Sequence, residues 1–374
     1  MRFRTVACLF GTLFRGAHPS DPLHGATSCS FAAGTGFATS GPAFGNRFRS
    51  CKTCAFRIES LMYRRLLVPL DGSAFAEHAI PLAISIAKRA GAEIEILHVH
   101  SPLAAIYGEG PVIPIDSLES VHRKHKEQYL DQVISRLSSS TSVTVRPLFF
   151  DGDIAGTIGR VAANTEVDLV VMTTHARGII GRLWLGSVAD ELVRSLTLPL
   201  LLVPPRQAPA DFRADRVLKH ILLPLDGSAV AEQMITPASR LGELMGADYT
   251  LLRVIRPLAA FGFPLQGSEL GREAESVLRR SQEVQVDLNK EARQYLDAVA
   301  RKFDRATPTV RKKVVEEDQP AVAILRQAEA QAVDLIALET HGRRGLARMM
   351  LGSVADKVVR GASIPVLLHR PTYA

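Results

Sequence analysis

The stretch Arg65-Leu66-Leu67-Val68-Pro69-Leu70-Asp71-Gly72-Ser73-Ala74 returns 155 residues later as His220-Ile221-Leu222-Leu223-Pro224-Leu225-Asp226-Gly227-Ser228-Ala229. An apolar run of strand length that stops at Asp-Gly-Ser reads as a buried strand, a tight turn and a helix start, because Gly permits the turn and Ser caps the helix. Pro102-Leu103-Ala104-Ala105 returns as Pro257-Leu258-Ala259-Ala260 at the same offset. Val167-Asp168-Leu169 returns as Val333-Asp334-Leu335, and Leu185-Gly186-Ser187-Val188-Ala189-Asp190 as Leu351-Gly352-Ser353-Val354-Ala355-Asp356, both at an offset of 166. Repeats in one order make the chain a tandem duplication. The copies span 62–205 and 216–374, with a linker at 206–215 and a net insertion of 11 residues between about 261 and 333.

Within each copy the pattern alternates. Apolar runs at Leu66–Leu70, Ile94–Val99, Val143–Phe149, Leu169–Thr173 and Pro199–Val203 read as strands, and Ala74–Ala90, Ser117–Leu137, Ala155–Asn164 and Ser187–Leu196 as helices. Continuous apolar strands joined by helices predict an α/β fold of two tandem, doubly wound, five-stranded parallel sheets. Ligands of such sheets bind beyond the carboxyl ends of the strands, where the strand order reverses. Attention therefore falls on the loops after strands one and four.

Of the 374 residues 47% are hydrophobic and 22% charged, so the chain has ample material for a core. The longest apolar candidate, Leu196–Pro205, is broken by Thr197 and Pro199 and is too short to span a bilayer. The net charge of +7 is concentrated at the start: residues 1–61 hold seven basic side chains against Asp21 and Glu59, leaving +2 for the rest. That balance argues against a nucleic-acid groove. The same segment holds all four cysteines, Cys8, Cys29, Cys51 and Cys54. A targeting peptide, a small metal or redox module at Cys51-x-x-Cys54, and an extension foreign to the natural protein compete for it. The preferred reading starts the functional protein at Met62 and leaves residues 1–61 disordered or non-native. The lack of cysteine after residue 54 fits a reducing cytoplasm.

After strand one, Asp71 and Asp226 either cap the following helix or reach a ribose hydroxyl or a metal ion on phosphates. After strand four, Thr173-Thr174-His175-Ala176-Arg177-Gly178 leads to Gly186-Ser187, and Glu339-Thr340-His341-Gly342-Arg343-Arg344-Gly345 leads to Gly352-Ser353. Gly-Ser at a helix start directs backbone donors, a hydroxyl and the positive helix end at one point, which suits phosphate. Neither the Walker loop nor Gly-x-Gly-x-x-Gly is present.

This constellation resembles the universal stress protein family in tandem form, over essentially all of residues 62–374. The resemblance implies an adenine-nucleotide alpha-hydrolase-like fold, and in nucleotide-binding members Gly-x-x-Gly, nine residues, then Gly-Ser/Thr in this loop. Gly342 and Gly352-Ser353 match with nine residues between them, with Glu339 in place of the first glycine; Gly186-Ser187 match in the first copy, with Thr173 and Ala176 in place of both earlier glycines. By the same resemblance, adenine meets backbone near Val99 and Val254, and Asp71 and Asp226 approach ribose or, weakly and through the nucleotide, Mg²⁺. Ser187 and Ser353 approach phosphate, and Val188 and Val354 offer N–H groups. The implied set also includes Pro69, Pro224, Met172 and Leu338. Glu339 repels phosphate unless it points away or holds a divalent ion.

His175, His341, Arg177 and Arg343 read as structural or solvated groups. His98 becomes Arg253 and His100 becomes Ile255, so the sequence gives them no shared role. The charged stretch His122–Glu127 reads as a solvated helix face. The resulting expectation is a cytoplasmic stress-response protein that binds ATP, with Mg²⁺ as an option, and acts as a nucleotide-responsive regulator or interaction module. Alternatives are a slow ATPase or phosphoryl or nucleotidyl transferase, and a nucleotide-free scaffold. The two copies are expected to pair as a pseudo-dimer through Pro199–Val203 and Pro365–His369, with a homodimer also open, and without nucleic-acid or membrane partners.

Overall fold

A computed structural model of the chain describes residues 63–102, 115–174, 185–258, 269–303, 309–340 and 351–371. The expectations for residues 1–61 lie outside these. The first copy runs β1 (Arg65–Leu70), a 3-10 turn (Ala76–Ala79), α1 (Ile80–Ala90), β2 (Glu93–His100), α2 (Ile115–Ser138), β3 (Val145–Asp151), α3 (Ile154–Asn164), β4 (Leu169–Thr173), α4 (Ser187–Ser195) and β5 (Leu200–Val203). The second runs β6 (His220–Pro224), α5 (Ala229–Glu232), α6 (Ile235–Met245), β7 (Asp248–Ile255), α7 (Glu269–Ala300), β8 (Val310–Glu316), α8 (Pro320–Ala330), β9 (Leu335–Glu339), α9 (Ser353–Gly361) and β10 (Val366–His369).

The strands form one sheet in the order β3-β2-β1-β4-β5-β10-β9-β6-β7-β8. Each half is parallel, and the halves join where β5 and β10 pair antiparallel, Leu201 opposite Leu367. The last strands of the copies therefore meet as the duplication implies. Alternate strand residues feed two apolar layers, one on each face of the sheet, and both layers run through both copies. Leu66, Val68 and Leu70 enter one, Leu67 the other.

Two elements differ from the sequence pattern for physical reasons. The helix expected from Ala74 to Ala90 is split before Ile80, because Pro81 lacks an N–H and its ring opposes the carbonyl of Glu77. Pro237 produces the same break between α5 and α6. The inserted residues of the second copy lie largely in helix, since α7 has 32 residues against 24 in α2.

The linker is docked rather than loose. Arg89 of α1 holds Asp215 through two hydrogen bonds of 2.8 and 2.7 Å, and the Arg216 N–H donates to Ser85 Oγ at 2.7 Å. Phe212 is buried beneath the Arg136 guanidinium, 4.4 Å from its ring centre.

Candidate functional site

Pro69 and Pro224 open the crevice. On its β2 side β1 stays paired as far as Leu70 opposite His98. On its β4 side the pairing ends at Leu67 opposite Val170, two residues before Pro69, which has no N–H to continue the ladder. Pro224 repeats the device: β6 leaves β9 after Leu222 opposite Ile336 but stays with β7 to Pro224 opposite Leu252. The strands part at the point where the order reverses in each half, so the crevice follows from a missing donor at a fixed position.

One wall of the crevice is the Asp-Gly-Ser turn. Asp71 Oδ1 accepts from the Ser73 N–H at 2.9 Å and the Ser73 hydroxyl at 2.7 Å, and Ser73 Oγ accepts from the Ala76 N–H at 3.2 Å. In the second copy Asp226 Oδ1 accepts from Ser228 N–H and hydroxyl at 2.9 and 2.5 Å, and Ser228 Oγ from Ala231 N–H at 3.1 Å. Gly72 and Gly227 carry φ of +90° and +82°, a conformation that side-chain residues resist. One oxygen of each aspartate is thus committed to holding the turn.

The other wall starts from β4 and β9. The carbonyl of Thr174 accepts the Gly186 N–H at 2.9 Å, and that of Thr340 accepts the Gly352 N–H at 2.8 Å. Each bond pins together the two ends of the loop after strand four and sets the start of α4 or α9 at the carboxyl edge. Gly186 and Gly352 occupy the N-cap positions, where no side chain caps the helix. Ser187 and Ser353 are exposed in the first turn, and Val188 and Val354 half-buried beside them. At Gly186 an added Cβ would stand 3.3 Å from the Thr174 carbonyl oxygen, so a side chain there requires that carbonyl to give by a few tenths of an ångström.

Of the remaining expected residues, Val99 lies near the end of β2 and Val254 near the end of β7. Met172 and Leu338 are buried one residue before the ends of β4 and β9, and Thr173 and Glu339 end those strands, also buried. Ala176 and Gly342 fall outside the described residues, as do His175, Arg177, His341 and Arg343. Among the described residues no three His, Cys, Asp or Glu side chains gather to hold a metal.

Glu339 is the distinctive group. It pairs with His369, the next strand's residue in register, whose Nδ1 is 2.8 Å from Oε1. Its other oxygen, Oε2, is buried with no hydrogen-bond partner among the described residues. Burial pushes the Glu339 carboxyl up to about 6, against the lowering effect of the His369 hydrogen bond and charge. The first copy has Thr173 and Val203 at the corresponding places.

Three roles escaped the sequence. His98 Nδ1 lies 2.8 Å from the Leu70 carbonyl and Arg253 Nη1 donates to that of Leu225 at 3.1 Å, so the two side chains serve one structural purpose just before the aspartate. Burial pushes the His98 imidazole down. Lys126, placed by its charge on a solvated face, is half-buried, and its Nζ donates to the Asp71 carbonyl at 3.3 Å. At the opposite edge, Asp168 Oδ2 accepts from the Arg64 and Arg65 N–H groups at 2.6 and 3.1 Å, and Asp334 Oδ2 from Lys219 and His220 at 2.8 and 3.0 Å. The repeated Val-Asp-Leu motif therefore anchors the start of β1 and β6. Its recurrence was visible in the sequence; its acceptor role needed the neighbouring strand.

The family model described as "Universal stress protein family" matches residues 62–204 and 218–370. The chain is 26% identical over 318 residues to a universal stress protein of Mycolicibacterium smegmatis, covering 84% of this chain and 99% of that one. It is 25% identical over 329 residues to one of Mycobacterium tuberculosis, covering 82% and 94%. Among solved structures, a universal stress protein from Archaeoglobus fulgidus superposes with a TM-score of 0.56 at 18% identity, over 83% of this chain and 98% of that one.

Proposed function

The chain belongs to the universal stress protein family, and from that premise we propose that its tandem domains present adenine-nucleotide sites, ATP being the ligand, whose occupancy regulates an interaction rather than driving turnover. The observation that carries this reading is the crevice itself. A proline-terminated ladder separates an Asp-Gly-Ser turn from an uncapped helix start, twice in one chain.

The chemistry of the donor set fits a nucleotide. The first N–H groups of α4 and α9 have no intrahelical acceptors, and with the Ser187 and Ser353 hydroxyls and the positive helix end they favour phosphate. In this reading the backbone at Val99 and Val254 meets an adenine edge, and Asp71 and Asp226 approach the ribose. Mg²⁺ in this reading arrives with the phosphates. A bound nucleotide supplies charge and hydrogen-bonding groups, while the chain's own residues bind and orient it. Because Asp71 Oδ1 and Asp226 Oδ1 already hold their turns, these carboxylates suit positioning better than proton transfer. The cysteine-free body of the chain suits the cytoplasm. No described helix is long and apolar enough to cross a membrane.

Equilibrium titration of the full chain with labelled ATP and Mg²⁺ tests the reading. Saturable binding is expected, reduced at least tenfold in the double variant Gly186→Val, Gly352→Val. Absence of saturable binding up to millimolar ATP would overturn it.

A further inference from the structure

The sheet ends on β3 in the first domain and on β8 in the second, and each of these strands pairs on one side only. Val145 lies opposite Ile94 and Val310 opposite Tyr249, itself 155 residues after Ile94, so Pro147 and Lys312 hold the same place in the two strands. In β3 the Thr144 carbonyl accepts from the Ile94 N–H and the Gly152 N–H donates to the His100 carbonyl. Backbone direction alternates along a strand, so the even-numbered residues face β2 and the Pro147 nitrogen faces outward. In β8 the Thr309 carbonyl and the Glu317 N–H bond to β7, so Val310, Lys312, Val314 and Glu316 turn their backbone groups outward. Proline has no donor and blunts the first edge. Lys312 leaves the second edge with an uninterrupted row of outward donors and acceptors.

The charge changes at the same place. Arg293, Arg311, Lys312 and Lys313 are exposed, and a groove of about 490 Å³ at α7 and β8 is lined by Arg293, Leu296, Asp297, Lys312, Lys313 and Val314. Arg311 pairs with Asp248 and Lys312 with Asp297, whereas Arg293 and Lys313 have no carboxylate partner among the described residues. Aligning Tyr129-Leu130-Asp131 with Tyr295-Leu296-Asp297 puts Glu127, paired with Arg123, at the position of Arg293, and Leu148 of β3 stands at that of Lys313. The cationic edge therefore belongs to the second domain and is not shared by the first.

This combination selects its occupant. A second copy of β8 would set Lys and Arg against Lys and Arg, which disfavours self-pairing. A nucleic acid would meet the cations but brings no peptide ladder for the outward backbone groups. An extended acidic peptide satisfies both, its backbone joining the ladder and its carboxylates meeting the cations. We infer that β8 is a docking edge for an acidic, extended segment of a partner protein, which adds to the sheet as a further strand. Side chains alternate across a strand, so acidic groups of the segment meet Arg293 and Lys312 on the α7 face and Lys313 on the other. The edge lies at the opposite end of its half-sheet from the β5–β10 junction, and its use does not rest on the nucleotide reading.

Fluorescence anisotropy of the full chain with a labelled peptide, Glu-Glu-Val-Glu-Glu-Val-Glu, matched in length to β8, tests the inference. Saturable binding that weakens as salt is raised is expected, together with slower amide exchange at Lys312 and Val314. Lys312→Pro, the first domain's residue at a place where Pro147 shows the fold accepts it, should weaken binding at least tenfold. Lys312→Ala keeps the outward N–H and should weaken it about threefold or less. Arg293→Glu, again the first domain's residue, tests the charge on the neighbouring helix and should weaken binding at least tenfold. Absence of saturable binding up to millimolar peptide overturns the inference. Equal losses in Lys312→Pro and Lys312→Ala would do so too, as would equal or tighter binding of the peptide with Lys in place of Glu, or of a single-stranded oligonucleotide.

Discussion

Replacing Glu339 with Gln should stabilise the fold at neutral pH and leave it unchanged in acid. The carboxyl is raised from 4.5 to about 6, chiefly by burial. A folded-state value above the unfolded one means that the favourable contribution is complete below pH 4.5 and is lost as pH rises through about 6. That gap corresponds to about 2 kcal/mol. Gln has nearly the same shape, keeps an acceptor for His369 and carries no charge to desolvate at any pH. The variant should therefore match wild type at pH 4 and exceed it by about 2 kcal/mol from pH 7 upward. Urea unfolding of the full chain followed by far-ultraviolet circular dichroism at pH 4, 5, 6, 7 and 8 measures the difference. A difference that does not vary with pH, or a variant weaker than wild type at pH 7, would refute the assignment of Glu339 as a carboxylate held charged against burial.

Gly242→Ala should destabilise by roughly 1–3 kcal/mol, because a methyl there overlaps the Tyr249 hydroxyl, itself bonded to the Ala238 and Ser239 carbonyls; thermal unfolding reads the loss, and an unchanged midpoint would contradict the packing described. Asp168→Ala leaves the Arg64 and Arg65 N–H groups without their side-chain acceptor and should cost about 1–3 kcal/mol, with faster amide exchange at the start of β1 as the local sign. The Arg89 hydrogen bond holds Asp215 down at about 2, below its ordinary 3.8, so its stabilisation is present above 3.8 and fades as pH falls toward 2. Asp215→Asn should accordingly lower stability at pH 6 more than at pH 2, and equal effects at both would exclude the Arg89 pair as the cause.

The duplication, the strand–helix alternation and the two candidate loops were readable from residues alone, since each rests on contiguous pattern and on a repeat separated by fixed offsets. Proline at residues 69 and 224 was visible too, but its effect depended on which neighbour its missing N–H faced. β1 pairs with β2 on one side and β4 on the other, and sequence periodicity carries no information about that choice. Similarly, His98 and Arg253 look unrelated until both are found on the carbonyl that precedes the aspartate turn. Charge alone gave Lys126 to solvent, whereas the packing of α2 on β2 and β3 carries it to that same turn.

Glu339 shows the division most clearly. Its departure from the glycine pattern was evident in the sequence, together with the repulsion it implies for phosphate. Its partner His369, 30 residues away, becomes a neighbour through the parallel register of β9 and β10. Burial between those strands raises its carboxyl and leaves Oε2 without a donor among the described residues. Sequence by itself determined the local units and their order, because strand propensity, turn chemistry and helix starts are short-range properties. Tertiary structure decided which polar groups meet and which backbone donors are missing, because those depend on strand order and register across distances the local pattern does not encode.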